Sequence, residues 1–146
     1  KYTNREIAGM FGKTFEVPSD GNSGGAVVIK DISVFSYCEH HMALMYDMKV
    51  DVAYVPRGRV LGLSKIARIC DMAAKRLQLQ ERLGQDIAEI ISLAALSPDV
   101  GVRIEGCHSC MTSRGIKNVS SKTVTKTYFG AFKDDVSLQN LLGDKV

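Results

Sequence analysis

The sequence predicts an α+β domain, an antiparallel β-sheet with two helices packed on one face, in the order ββααββ. Three observations point there. Runs rich in Val, Ile and Phe, or alternating polar with apolar, occur at 26–37, 49–55, 100–104 and 119–129, as expected of strands. Between the second and third lie two stretches, 65–76 and 79–96, with apolar residues every three or four positions, the period of an amphipathic helix. Strands in two sequential pairs around a helical pair favour an antiparallel sheet covered on one side. A chain of 146 residues, 45% hydrophobic and 24% charged, is long enough to bury one such core.

Taken in order, residues 1–12 have weak helical character and read as the end of a helix that begins upstream. Residues 17–25, with one Pro and three Gly, read as a loop. Residues 1–25 thus form a helical remnant and loop ahead of a domain spanning 26–146. The strands at 26–37 and 49–55 come next, and Pro56-Arg57-Gly58 turns the chain. Ser64 is the expected N-cap of the first helix, with Ile66, Ile69, Cys70 and Ala73 on one face. Leu83, Ile87, Ile90, Ile91 and Ala94 form the buried stripe of the second, which Pro98 stops. The last two strands follow, and a short amphipathic helix closes the chain at 136–142. An open sheet leaves edge strands that need covering, and copies of the same chain would do so. A homo-oligomer is therefore expected.

The net charge of +3 suits an anionic small ligand and is too weak to argue for nucleic acid. No apolar run approaches the roughly 20 residues of a membrane helix. With Lys1 first and no signal-peptide pattern, the chain reads as a trimmed cytoplasmic protein. In such a protein the four cysteines fit metal or catalytic use better than disulfides. Cys70 is the exception, a small apolar residue on a helix core face.

All three histidines fall in two motifs, Cys38-Glu39-His40-His41 at the end of the first strand and Cys107-His108-Ser109-Cys110 after the third. Each offers a pair of candidate ligands with two residues between them, close enough for one tight turn to present both to a single zinc ion. Four ligands, Cys38, His41, Cys107 and Cys110, would close the site and make it structural. Three would leave a coordination position for water and make it catalytic. His40 and His108 stand beside the ligands, where imidazoles serve water activation and proton transfer, or simply support the ligands.

Two further groups carry charge. Ser64, Lys65 and Arg68 open the first helix, where free N–H groups and the helix dipole favour an anion. Arg114 could add a cation from the metal side. The alternative for all four is a capped helix and a turn with solvated basic residues. Glu81 opens the second helix. Its carboxylate could bind the exocyclic amine and ring N–H of a purine together, or merely favour the helix dipole.

Together these segments resemble the type I GTP cyclohydrolase family. The residues that carry the resemblance are Cys38-Glu39-His40-His41, Ala53-Tyr54-Val55-Pro56, Gly62-Leu63-Ser64-Lys65 with Arg68, and Gln80-Glu81-Arg82-Leu83. His108-Ser109-Cys110-Met111, Arg114-Gly115 and Phe129-Gly130-Ala131-Phe132 complete the set. They occur in the family's order from about residue 30 to residue 133. The resemblance implies a tunnelling fold assembled into a ring of ten, with active sites between subunits. It implies a zinc ion held by Cys38, His41 and Cys110 with water as fourth ligand, which leaves Cys107 out. His108 and His40 are then the proton donors and acceptors, and Ser64 a relay in a later rearrangement. Lys65, Arg68 and Arg114 hold the triphosphate. Glu81 anchors the guanine, with Gln80 also among the substrate-binding residues. The implied reaction opens GTP at C8, releases formate and yields 7,8-dihydroneopterin triphosphate, the first step of folate and pterin biosynthesis. Relatives of the same fold, a pterin synthase and a nitrile reductase, use a three-His zinc site or a catalytic Cys without zinc, and these motifs fit neither.

The chain departs from the family in places. The segment from Met42 to Ala53 is one residue longer and lacks the usual Pro-Phe and Gly. Gly84 replaces a better helix former, a local cost of up to about 1 kcal/mol. Cys107 is not a required family residue, and beside Cys110 it could form a disulfide on oxidation and strip the zinc.

Overall fold

A computed structural model describes residues 2–11, 15–16, 25–37, 44–75, 79–108 and 122–143. Its main sheet has four strands, β2 (Val27–Tyr37), β3 (Leu44–Tyr54), β5 (Val100–His108) and β6 (Thr123–Phe129). They lie in the order β2-β3-β5-β6, every neighbour antiparallel. Helices α2 (Leu63–Ala74) and α3 (Gln80–Ala95) fall between β3 and β5 in the chain. The α+β class and the ββααββ order are as the sequence predicts. Two short strands, β1 (Phe15–Glu16) and β4 (Arg59–Val60), pair separately. Each is too short for a periodic pattern to mark it.

Alternation along the strands decides which face meets the helices. Met48, Val50, Val52 and Tyr54 of β3 and Val100, Val102 and Ile104 of β5 are buried in one cluster with Ile66, Ile69, Leu83, Ile87, Ile90 and Ile91. The predicted stripes of both helices are therefore the core. On the opposite face, a 3-10 turn (Gly130–Lys133) and the short helix α4 (Val136–Asn140) bring Phe132 and Leu142 against Ala53 in a smaller cluster.

Several boundaries differ from the sequence reading. The first helix, α1 (Asn4–Met10), does not continue from upstream. Thr3 caps it, its hydroxyl accepting from the Glu6 N–H at 3.1 Å while the Glu6 carboxylate accepts from the Thr3 N–H at 3.3 Å. Such a reciprocal box is a helix start. Asn4 donates to Asp86 and Glu89 of α3, and Ile7, Ala8 and Phe11 join the main core. Strand β3 begins at Leu44 rather than at 49, because β2 pairs with it as far as Leu44 and β5 as far as Tyr46. The extra residues read as a loop only because they lack clean alternation. β5 likewise runs on to His108. The expected strand start at 119–121 lies outside the described residues. Gly84 has a packing reason: a Cβ there would stand 2.7 Å from Thr127 Oγ1, so its absence lets α3 approach β6.

The end of the sheet where β3 finishes and β5 begins is tied by a buried carboxylate. Asp99 is 5% exposed. It pairs with Arg57 and accepts the Ala131 N–H at 2.8 Å, while its own carbonyl accepts the Val55 N–H at 3.0 Å. Gly130 stands beside it at φ +62°, where a Cβ would lie 2.3 Å from Asp99 Oδ1, so only glycine fits. Burial works to raise the Asp99 pKa. The Arg57 hydrogen bond, the Ala131 N–H and the Arg57 charge outweigh it and hold the carboxyl below its ordinary 3.8. A depressed folded value means stability that is present above the unfolded pKa and lost as pH falls through the folded one. Asp99→Asn is expected to lower stability at pH 7 by about 1–3 kcal/mol and to shrink that loss below pH 3, as read by urea midpoints at the two pH values.

Candidate active site

The first ligand motif begins one residue after β2 ends at Tyr37, and the second closes β5 with Cys107 and His108. Tyr37 pairs with Leu44, and His108 with Tyr46, on the two sides of β3. The strand ends that lead into the motifs are thus two strand spacings apart, about 10 Å, and offset by two residues, about 7 Å. Two short turns starting from there can share one ion, and two thiols with an imidazole are a donor set that suits zinc. Cys38, His40, His41, Cys110 and Arg114 themselves lie outside the described residues. Among the described residues no group of three or more His, Cys, Asp or Glu comes together.

Glu81 stands at the same end of the subunit. It is the second residue of α3 and exposed, next to Gln80, whose side chain reaches β5 and β6. The sequence alone did not reveal that Gln80 is turned into the sheet and 4% exposed.

Ser64, Lys65 and Arg68 are at the other end. The motif Ala53-Tyr54-Val55-Pro56 explains how they are held there. Tyr54, the last residue of β3, is fully buried, and its hydroxyl accepts the Leu61 N–H at 2.9 Å. Burial raises its pKa, against the opposing effect of that hydrogen bond. Leu61 is thereby pinned one residue before the N-cap of α2. That cap is Gly62, not Ser64: its carbonyl accepts from Lys65 and Ile66 at 3.0 and 3.2 Å, and its φ and ψ are extended. The tether from Tyr54 and the burial of Ile66 and Ile69 set the helix start two residues ahead of the serine. Ser64 is the second helical residue, and its side chain is exposed. Arg68 is exposed as well, and Lys65 half-buried.

From Tyr46, level with His108, to Tyr54 is eight steps of β3, about 27 Å. One chain therefore separates the strand ends leading to the Cys and His motifs from the basic start of α2. Cys70, buried in the core, has its thiol pushed up to about 12, chiefly by desolvation and secondarily by Asp71, and is a core residue as expected.

The sequence model of the GTP cyclohydrolase I family matches residues 1–145. The chain belongs to that family. It is 61% identical over 145 residues to GTP cyclohydrolase 1 of Ruminiclostridium cellulolyticum. It is 54% identical over 143 residues to that of Clostridium botulinum strain Loch Maree, each match covering 97% of this chain and 73% of the relative. Among solved structures, the archaeosine synthase QueF-Like aligns with a TM-score of 0.61 at 23% identity, over 75% of this chain and 98% of that one. Dihydroneopterin aldolase of E. coli, determined with neopterin, aligns at 0.52 and 15% identity, over 70% and 98%. At these identities the structural likeness carries the fold alone, which is the tunnelling fold. No helix among the described residues is long and apolar enough to cross a membrane.

Within the cyclohydrolase I fold, Ser64 is available for a role other than capping. Ser64→Ala is expected to leave stability within about 0.5 kcal/mol of the parent, where loss of a capping hydroxyl costs about 1 kcal/mol. Thermal unfolding of the two proteins measures the difference.

Proposed function

We propose that this chain hydrolyses GTP at C8 of the guanine, releasing formate and forming 7,8-dihydroneopterin triphosphate. The observation that carries this reading is the family match across residues 1–145. Cys38, His41 and Cys110 hold a zinc ion in this reading, and the register of β2 and β5 on β3 supports one ion shared by both motifs. When bound, zinc supplies a Lewis acid and a nucleophilic water at neutral pH.

The protein's own groups do the rest. Attack at C8 needs a proton delivered to N7, and His108 and His40 flank the ligands where an imidazole near neutrality can give and take one. Glu81 accepts from the ring N–H and the exocyclic amine of guanine, a pairing that selects guanine over adenine. Lys65, Arg68 and Arg114 balance the triphosphate charge, and the start of α2 adds its dipole. Ser64, exposed and free of capping duty, relays a proton during the later rearrangement of the ribose.

The separation of about 27 Å along β3 supports a site built between copies, with the basic start of α2 from one copy facing the motifs of another. β2 and β6 are the outer strands of the main sheet, so each has an edge on which a further copy can pair. A ring-shaped decamer satisfies both features.

The reaction is tested by supplying GTP and measuring formate and the fluorescence of the oxidised pterin. Both are expected with zinc and neither after chelation; a zinc-loaded, assembled sample yielding neither product refutes the assignment. Metal-edge spectroscopy is expected to count two sulfurs, and three would mean that Cys107 closes the site. Sharing between copies has its own test. Arg68→Ala and Cys110→Ala are each expected to be nearly inactive at low GTP. Co-assembled in equal amounts, they should recover about a quarter of parental sites, whereas a site within one chain would recover none.

A further inference from the structure

One side chain fastens the first turn of α3 to the sheet. Gln80 sends its Nε2 to the Ile104 carbonyl at 3.1 Å, to the Thr123 carbonyl at 3.0 Å and to Thr125 Oγ1 at 3.3 Å. These acceptors lie on both β5 and β6, so the carboxamide bridges the pair. Its other end, Oε1, is buried with no hydrogen-bond partner among the described residues. It lies over Gly106, where a Cβ would stand 2.8 Å away. The orientation of the amide follows from its neighbours, since the reverse would set oxygen against two carbonyl oxygens. A buried acceptor left unpaired is costly, which offsets part of what the Nε2 contacts contribute to stability. Gly106 precedes His108 by two residues on β5, and the exposed Glu81 follows Gln80 on α3. A single carboxamide therefore fixes the start of α3 relative to the strand end that carries His108.

We propose that Gln80 is a positioning residue that sets where the Glu81 carboxylate stands against the guanine. This rests on the role given to Glu81 in the proposed GTP reaction. The test compares kcat/KM for GTP with that for inosine triphosphate, which lacks the exocyclic amine, on the assembled, zinc-replete full chain. The parent should prefer GTP, and Glu81→Gln should reduce that preference. Gln80→Met keeps the volume and removes the donors; it should reduce the preference about tenfold. Added to Glu81→Gln, it should bring no further loss, because the two act through one carboxylate. Gly106→Ala crowds the carboxamide from the strand side with Gln80 in place, and should give the same loss in milder form.

The proposal is overturned if Gln80→Met keeps the parental preference, or if its loss multiplies with that of Glu81→Gln. Should Gln80→Met fail to assemble, a parental preference in Gly106→Ala overturns it equally. An unchanged preference in Glu81→Gln removes both the guanine role of Glu81 and this proposal, while the reaction itself stands. Only the absence of formate and pterin from the unmodified protein speaks against the reaction.

Discussion

Strand β3 is hydrogen-bonded by β2 on one side and β5 on the other along most of its length, and that double register governs where every chemical group stands. A slip of one residue would turn Met48, Val50 and Val52 out of the core and bring Lys49 and Asp51 in. The core thus enforces the register, and the register sets Tyr37 and His108 within two residues of each other along β3. The strand ends that lead into the two motifs need no long-range contact of their own to lie near each other. They inherit proximity from the ladder.

The opposite end depends on different forces. There the chain must leave β3, turn, and start α2 at a fixed place. Tyr54 accomplishes this from inside the core, its ring contributing buried area and its hydroxyl receiving a backbone N–H seven residues on. Asp99 joins two further segments, taking Arg57 and Ala131 on its carboxylate and Val55 on its carbonyl. Ser97 adds its hydroxyl to the Val55 carbonyl at 2.6 Å. An apolar core holds the end with the Cys and His motifs in register, and a buried polar network holds the end where α2 begins. Networks of this kind are rigid when satisfied.

Much of this was legible in the sequence. The helix stripes and the class of the sheet follow from periodicity, because Ile66, Ile69, Leu83, Ile87 and Ile90 have no other low-energy place to go. Both Cys and His motifs are visible in the chain, since each is a compact run with its own spacing. What escaped was set by tertiary contact. The start of α2 lies at Gly62 rather than Ser64 because a tyrosine seven residues before Leu61 fixes that residue. Residues 44–47 became strand because two neighbours pair with that segment, not because of their own pattern. The first helix was misread as a continuation because the Thr3–Glu6 box is a short signal near a chain start. The burial of Gln80 is not legible locally, because nothing near it reveals that Gly106, distant in sequence, leaves room for its carboxamide.

Cys70 gives the molecule an internal reporter. Its thiol sits in the helix layer of the core with a pKa near 12, so almost none of it is thiolate at neutral pH, and thiolate is the form that alkylating and disulfide reagents attack. A native-state thiol count therefore excludes it, whatever the state of the three motif cysteines. Labelling of Cys70 marks the moment α2 lifts from the sheet, and its rate reads out the opening of that layer directly.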